Sequence, residues 1–347
     1  MIYFHNDYNA CCHPAVMNKL MQTQAECCPG YGMDSHCTSA AEKIRTLCAA
    51  PDAAVHFLVG GTQTNLTVIA ASLRPHEAVI GADTAHINVH ETGAIEATGH
   101  KVIALPSADG KLTAAQVEET VRQQRLSGDA EHIAKPKMVY ISDSTEVGTV
   151  YTLRELEELS AVCRKWGLYL FLDGARLSYA LAVTGGNVTL EDLARLCDVF
   201  YIGGTKCGAM FGEAVVISNP AIAEDFRYLI KQRGGMLAKG WLLGVQFEAL
   251  LENGLYFDLA RRANVQADRI RKTLLEIGAE LPVDGGSNQV FPILPNALLT
   301  ELGKAFTFAE MGQDDGQCRM VRFCTSWATR DGDVQALCDA LKAISKN

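Results

Sequence analysis

The 347-residue chain is long enough to bury a sizeable core, and one or two domains are expected. With only 20% charged residues, a net charge of −9 and no basic or aromatic-interleaved run, it excludes nucleic acid as a partner. No apolar stretch approaches the ~18–20 residues of a membrane span, and Met1-Ile-Tyr-Phe-His-Asn-Asp7 lacks a basic-then-apolar leader, so a cytoplasmic protein without membrane contact is expected.

Residues 1 to about 30 read as an arm and a helix without a strand. Short apolar runs then alternate with helical patterns. The strands predicted are 54–58, 78–82, 101–105, 138–142, 168–172, 199–202 and 214–217. Their unbroken apolarity suits strands covered on both faces. Helix starts are marked by Thr113-Ala-Ala-Gln116, by Thr152-Leu-Arg-Glu155 opening a helix to Lys165, and by Thr189-Leu-Glu-Asp192 opening one that ends near Leu196. Such alternation predicts a mainly parallel sheet under helices. After about residue 220 the pattern is helical through Leu250-Leu251 and on to Ile270–Leu275. Two strand-like pieces (289–293, 320–325) and a terminal helix from about Gly332 to Ile344 follow. The division predicted is 1–30 (arm and helix), 31–245 (large domain) and 246–347 (small α+β domain).

Several segments carry chemistry. Val59-Gly60-Gly61-Thr62-Gln63-Thr64-Asn65 follows a strand and opens a helix, so it is either a plain turn or an anion cradle of backbone N–H groups with Thr62 and Gln63 as added donors. It is neither a Walker A loop nor Gly-x-Gly-x-x-Gly. His86 lies just past a strand end, where an imidazole stacks on a flat ring, relays a proton or plays a structural part. Its i, i+4 partner His90 does not make a metal pair, because no third ligand is spaced for one. Asp173 and Arg176 end an apolar strand, where a carboxylate is costly without a donor or a cation. They are either an ion pair or separate polar contacts in a site. Lys206, in Gly203-Gly-Thr-Lys-Cys-Gly208, ends another strand; burial would depress its pKa and make it nucleophilic, unless it snorkels to water. Arg322, in Cys318-Arg-Met-Val-Arg-Phe, is a candidate carboxylate fork or a surface cation.

A lysine amine and an acid at facing strand ends are what pyridoxal phosphate needs. The amine forms the Schiff base and the acid keeps the pyridine nitrogen protonated. The twelve cysteines include the pairs Cys11-Cys12 and Cys27-Cys28, but no Cys-x-x-Cys and no Cys/His spacing for a tetrahedral metal site. Reduced thiols and no bound metal are expected.

Taken together, Gly61-Thr-Gln-Thr-Asn65, Ala85-His86, Leu172-Asp-Gly-Ala-Arg176, Thr205-Lys206-x-Gly208 and Val321-Arg322 resemble the threonine aldolase family, in order and interval, from about Asp7 to Leu341. The resemblance implies the fold-type-I architecture of pyridoxal-phosphate-dependent transferases: an α/β large domain on a mainly parallel seven-stranded sheet, with a smaller C-terminal α+β domain. It implies retro-aldol cleavage of a β-hydroxy-L-amino acid such as threonine to glycine and an aldehyde. Gly61, Thr62 and Gln63 would cradle the cofactor phosphate, His86 would stack on the ring, Asp173 would meet its nitrogen and Lys206 would carry it. Arg176 and Arg322 would clamp the substrate carboxylate. It also implies a homodimer or homotetramer with sites between subunits.

The chain departs from that family at named places. His5-Asn6-Asp7-Tyr8 stands for Arg-Ser-Asp-Thr, which puts Asn6 at the serine that touches the substrate carboxylate. Asp143-Ser-Thr-Glu146 stands for Glu-Asn-Thr-His, which puts Glu146 where a histidine handles the β-hydroxyl. Arg233-Gly-Gly-Met-Leu237 lacks the family's phosphate-holding arginine at Leu237, leaving Lys231 or Arg233 to compensate. Tyr31 matches a tyrosine near the active site. The exchange at Glu146 keeps β-elimination, transamination and racemisation open as alternatives, with an inactive binding module of the same fold as a remote one.

Overall fold

The computed structural model describes residues 1–345 of the chain; the last two residues of the expected 246–347 unit lie outside them. The strands in chain order are β1 (Ile2–Tyr3), β2 (Ala54–Leu58), β3 (Glu77–Ala82), β4 (Lys101–Leu105), β5 (Lys135–Ser142), β6 (Tyr169–Asp173), β7 (Val199–Gly203), β8 (Glu213–Ile217), β9 (Gln289–Val290), β10 (Ile293–Pro295), β11 (Phe306–Thr307), β12 (Ala309–Asp314) and β13 (Cys318–Cys324). The helices are α1 (Pro14–Thr23), α2 (Ser35–Leu47), α3 (Gly61–Ser72), α4 (His86–Val89), α5 (Ala114–Leu126), α6 (Leu153–Trp166), α7 (Leu177–Leu181), α8 (Leu190–Leu196), α9 (Pro220–Ala223), α10 (Phe226–Gln232), α11 (Trp241–Leu251), α12 (Leu255–Glu276), α13 (Asn296–Leu302) and α14 (Asp331–Ile344).

The main sheet has seven strands in the order β2-β8-β7-β6-β5-β3-β4. Only β8 runs against its neighbours. Every residue of β3, β7 and β8 is buried, as unbroken apolar runs require. The three predicted helix starts are capping boxes, Thr113–Gln116, Thr152–Glu155 and Thr189–Asp192, each with both reciprocal hydrogen bonds. The long helical region past residue 220 is broken at Asn253 and Gly254, both with positive φ (51° and 75°).

The small sheet is antiparallel, β10-β13-β12 with β9 also on β13. The N-terminal arm differs from expectation: Ile2–Tyr3 form a strand parallel to β11, and Phe4 is buried in the second core. Local sequence could not show this, because the partner lies at the other end of the chain. Helix α11 packs in the first core through Phe247, Ala249 and Leu250. The change of core comes within α12, between Ala263 of the first and Ala267 of the second.

The parallel strands β3, β5, β6 and β7 all end on one edge of the sheet, where loops carry polar side chains over an apolar floor. Ligands of open α/β sheets bind at that edge.

Candidate active site

Lys206 stands in the loop after β7. Gly203 and Gly204 fit there because a Cβ at either would meet backbone oxygens at 2.6–2.7 Å. The loop is pinned by Thr205, whose hydroxyl donates to Glu213 (2.7 Å) and accepts from the Gly212 N–H (3.0 Å), and by the Tyr179 hydroxyl, which donates to the Lys206 carbonyl (2.6 Å). The amine itself has no hydrogen bond or ion pair among the described residues. Burial, then the nearby Arg176 charge, lowers its pKa. The result is a lysine with more of its amine neutral than a surface lysine has.

Asp173, at the end of β6, is 4% exposed. It accepts hydrogen bonds from Tyr140 (2.5 Å), Asn65 Nδ2 (2.9 Å), the Ala175 N–H (3.0 Å) and the Tyr201 hydroxyl. Burial alone would raise its pKa, but the His86 charge and these donors outweigh it and hold the carboxyl below its ordinary range. Asn65 Nδ2 also donates to Glu91 (2.7 Å), and Glu91 faces His86 Nδ1 at 2.8 Å. His86, Glu91, Asn65 and Asp173 therefore form one polar chain, buried except at His86. Burial opposes the charge on His86, yet the Glu91 contact and the Asp173 charge raise its pKa.

Glu146 accepts from Ser142 Oγ (2.7 Å) and from the His86 N–H (3.0 Å), while its Oε2 is buried without a partner. Burial pushes its pKa up. Glu213 is buried too, and its pKa is pushed to about 7. Arg176 grips Asp7 with Nε (2.7 Å) and Nη2 (3.1 Å). Its carboxylate partner is thus Asp7, not Asp173.

Helix α3 begins at this edge without a side-chain cap, since Gly60 is the N-cap. A Cβ on Gly60 would meet nothing within 4 Å, so its backbone faces open space. The unpaired N–H groups of the first turn and the helix dipole there suit an anion.

Lys206, Asp173, Asn65, His86, Glu146 and Arg176 line one cavity of about 290 Å³ together with Gly60, Gly61, Thr62 and Glu213. An adjoining cavity shares Lys206, His86, Glu146 and Arg176 and adds Arg322. Arg322 donates to Gln289 (3.2 Å) and to the His5 carbonyl (3.1 Å), and its Nε is buried without a partner.

Other expected residues fall elsewhere. The Gln63 side chain turns away, accepting from the Val59 N–H (3.4 Å) and donating to the Arg233 carbonyl (3.2 Å). Asn6 caps its own turn by accepting from the Tyr8 N–H (3.0 Å), and Tyr8 rather than Asn6 lines both cavities. Tyr31 lines a separate groove with Arg227, Met236 and Leu237. The Lys231 ammonium lies 5.0 Å from the Tyr31 ring centroid. The Arg233 Nε is buried without a partner, outside the Lys206 cavity. Tyr140, Tyr201, Glu91, Tyr8, Asp7 and Glu213 were not singled out by sequence reasoning. A tyrosine within a buried strand, or a glutamate opening one, was the available signal, since each needs a polar partner.

Comparison with known proteins identifies the family. The family model of the beta-eliminating lyases matches residues 9–294. A low specificity L-threonine aldolase of a Pseudomonas species is 34% identical over 90% of this chain and 89% of its own length. Another, from Pseudomonas aeruginosa, is 34% identical over 79% and 76%. The structure of a threonine aldolase from Leishmania major superposes with a TM-score of 0.97 at 47% identity, covering 99% of this chain and all of that one. An aspartate aminotransferase of Thermus thermophilus shares the fold alone, at a TM-score of 0.73 and 17% identity. The family model over most of the chain and relatives matching along nearly its whole length place this protein in the beta-eliminating lyase family, among its threonine aldolase relatives.

Proposed function

We propose that this chain is a pyridoxal-phosphate-dependent aldehyde-lyase. It cleaves the Cα–Cβ bond of a β-hydroxy-L-amino acid, threonine or allo-threonine, into glycine and an aldehyde. The observation that carries the reading is the half-buried Lys206, its amine unpartnered among the described residues, in one cavity with a carboxylate kept ionised by its donors.

The residues fit the cofactor. Lys206 would hold it through its amine, the start of α3 with Gly61 and Thr62 would take its phosphate, His86 would lie on its ring and Asp173 would meet its ring nitrogen. When bound, pyridoxal phosphate supplies an electron-accepting ring beside the substrate Cα. The protein's own work is positioning and proton transfer. Arg322 and the part of the Arg176 fork not spent on Asp7 hold the substrate carboxylate. Glu146, which lines the cavity, has one unpartnered carboxylate oxygen and has its pKa raised by burial, accepts the β-hydroxyl proton as the bond breaks. Lys206, with its lowered pKa, is suited to return a proton to Cα.

Tyr31, Lys231 and Arg233 lie outside the cavity of their own chain, which is the position that a site shared between subunits requires. A homodimer or homotetramer is therefore part of the proposal, read by light scattering.

Two measurements test the reading. Borohydride reduction of the cofactor-loaded protein, followed by peptide mapping, should place the label on Lys206, and Lys206→Ala should carry none. Incubation with threonine should yield glycine and acetaldehyde in equal amounts. A label elsewhere overturns the role of Lys206, and 2-oxobutyrate without glycine overturns the bond assigned. The membership in a beta-eliminating lyase family makes elimination the second reading, and the same product assay reads it.

A further inference from the structure

Outside the Lys206 cavity, the loop between α1 and α2 and the first turn of α2 gather Glu26, Cys28 and His36, and their ligand atoms all lie within 4.8 Å of one another. Residue spacing alone gave no tetrahedral set. The chain creates one by reversing at Tyr31 and Gly32, both with positive φ (64° and 73°). The turn brings Cys28 back against His36 in the first turn of α2.

A second observation marks the cluster as more than a surface contact. His36 Nδ1 faces Glu248 Oε2 of α11 at 2.7 Å, and both side chains are only 11–12% exposed. A carboxylate holding one ring nitrogen fixes the imidazole and aims the other nitrogen outward. This is the support that metal-binding histidines receive from their surroundings. Nε2 points at Glu26 Oε2, 2.9 Å away. Lys19, 3.9 Å from Glu248, balances the charge on the far side.

We propose that Glu26, Cys28 and His36 form a zinc site that ties the loop 24–34 to α2 and, through Glu248, to α11. One thiolate, one imidazole and one carboxylate are a donor set of intermediate softness. It suits Zn²⁺ rather than Mg²⁺ or Ca²⁺, which seek oxygen. Three protein ligands leave the fourth tetrahedral position to water. On binding, the ion displaces the Cys28 thiol proton and the proton between His36 and Glu26, and both protons pass to solvent. Zinc–ligand bonds of roughly 2.0–2.3 Å set neighbouring ligand atoms more than 3 Å apart. Glu26, whose side chain is 49% exposed, has room to open by the few tenths of an ångström required.

The test uses the full chain, reduced, stripped with chelator and desalted. Titration with Co²⁺ as a spectroscopic stand-in should give a thiolate-to-metal absorption that saturates at about one ion per chain, and Zn²⁺ should displace it. Cys28→Ser and His36→Ala should each abolish the band, and Glu26→Gln should weaken binding. Glu248→Gln should weaken it by about 10–100-fold. Cys318→Ser, at a thiol on the small sheet, should leave the titration unchanged. Zn²⁺ should raise the melting temperature of the parent protein but not of His36→Ala. Circular dichroism of each variant shows whether it folds, and the exposed Glu26 gives a variant that does not depend on buried packing. Absence of a thiolate band overturns the site. So does a band that survives in both Cys28→Ser and His36→Ala, which would put the ion at other cysteines.

Discussion

Asp173 shows how the chemistry of single groups is set by neighbours. Its four donors come from two strands, a helix and the loop after β6, and they oppose the cost of burying a charge. Tyr201→Phe removes one of them without opening space. The carboxyl pKa then rises, so the acid limb of the kcat/KM profile moves to higher pH by about one unit while the rate at neutral pH changes little. An unmoved acid limb would mean that Tyr201 only fills volume. Asp143 makes the opposite case. It is 2% exposed and has a single backbone donor, the Tyr151 N–H at 3.3 Å, so burial pushes its pKa up to about 8 from 3.8. Between those two values the folded state binds more protons than the unfolded state, and stability must fall as pH rises. Asp143→Asn removes that slope. Its melting temperature, compared with the parent at pH 5 and at pH 8, should gain at least roughly 2–4 °C at the higher pH.

The elements were the most legible level, because their causes are local. Apolar runs gave the seven strands of the main sheet to within a few residues at each end, and Thr-x-x-Gln/Glu/Asp gave three helix starts. The site was legible where a motif ends a strand, as at Asp173 and Lys206. It was not legible where the partner lies far along the chain: Asp7 for Arg176, or Tyr140 and Tyr201 for Asp173. The Asp-Gly-Ala-Arg turn also has an element-level cause. A Cβ on Gly174 would sit 1.7 Å from the Tyr201 carbonyl oxygen. The Gly203 N–H donates to the Gly174 carbonyl at 3.0 Å, so the ends of β6 and β7 approach to backbone contact. Gly174→Ala must spread these two strands and with them Asp173 and Lys206. The expected outcome is a loss of several kcal/mol or no soluble protein, read by urea unfolding, since overpacking of backbone against backbone cannot relax through a rotamer.

At the scale of the whole molecule, Asp7 joins what the sequence lays out separately. The arm that carries it adds β1 to β11 and puts Phe4 in the second core. The Asp7 carboxylate then binds Arg176 at the start of α7 and Asn288 Nδ2 beside β9 (2.9 Å). Burial would raise its pKa, but Arg176, Lys206 and the hydrogen bonds carry it down to about 2. The pair therefore stabilises the fold above pH ~4, and this contribution fades as pH falls toward 2. Asp7→Ala leaves Arg176 charged and buried without its partner, which should cost about 3–5 kcal/mol in urea unfolding at pH 7. The penalty belongs to the orphaned cation more than to the lost contact, so Asp7→Ala combined with Arg176→Met should recover most of it. The same double variant should still lose kcat/KM if Arg176 also holds the substrate carboxylate. Stability restored without activity would thus separate the two tasks of Arg176, whereas a single Asp7→Ala within about 0.5 kcal/mol of the parent would show that the pair does not hold the two cores together.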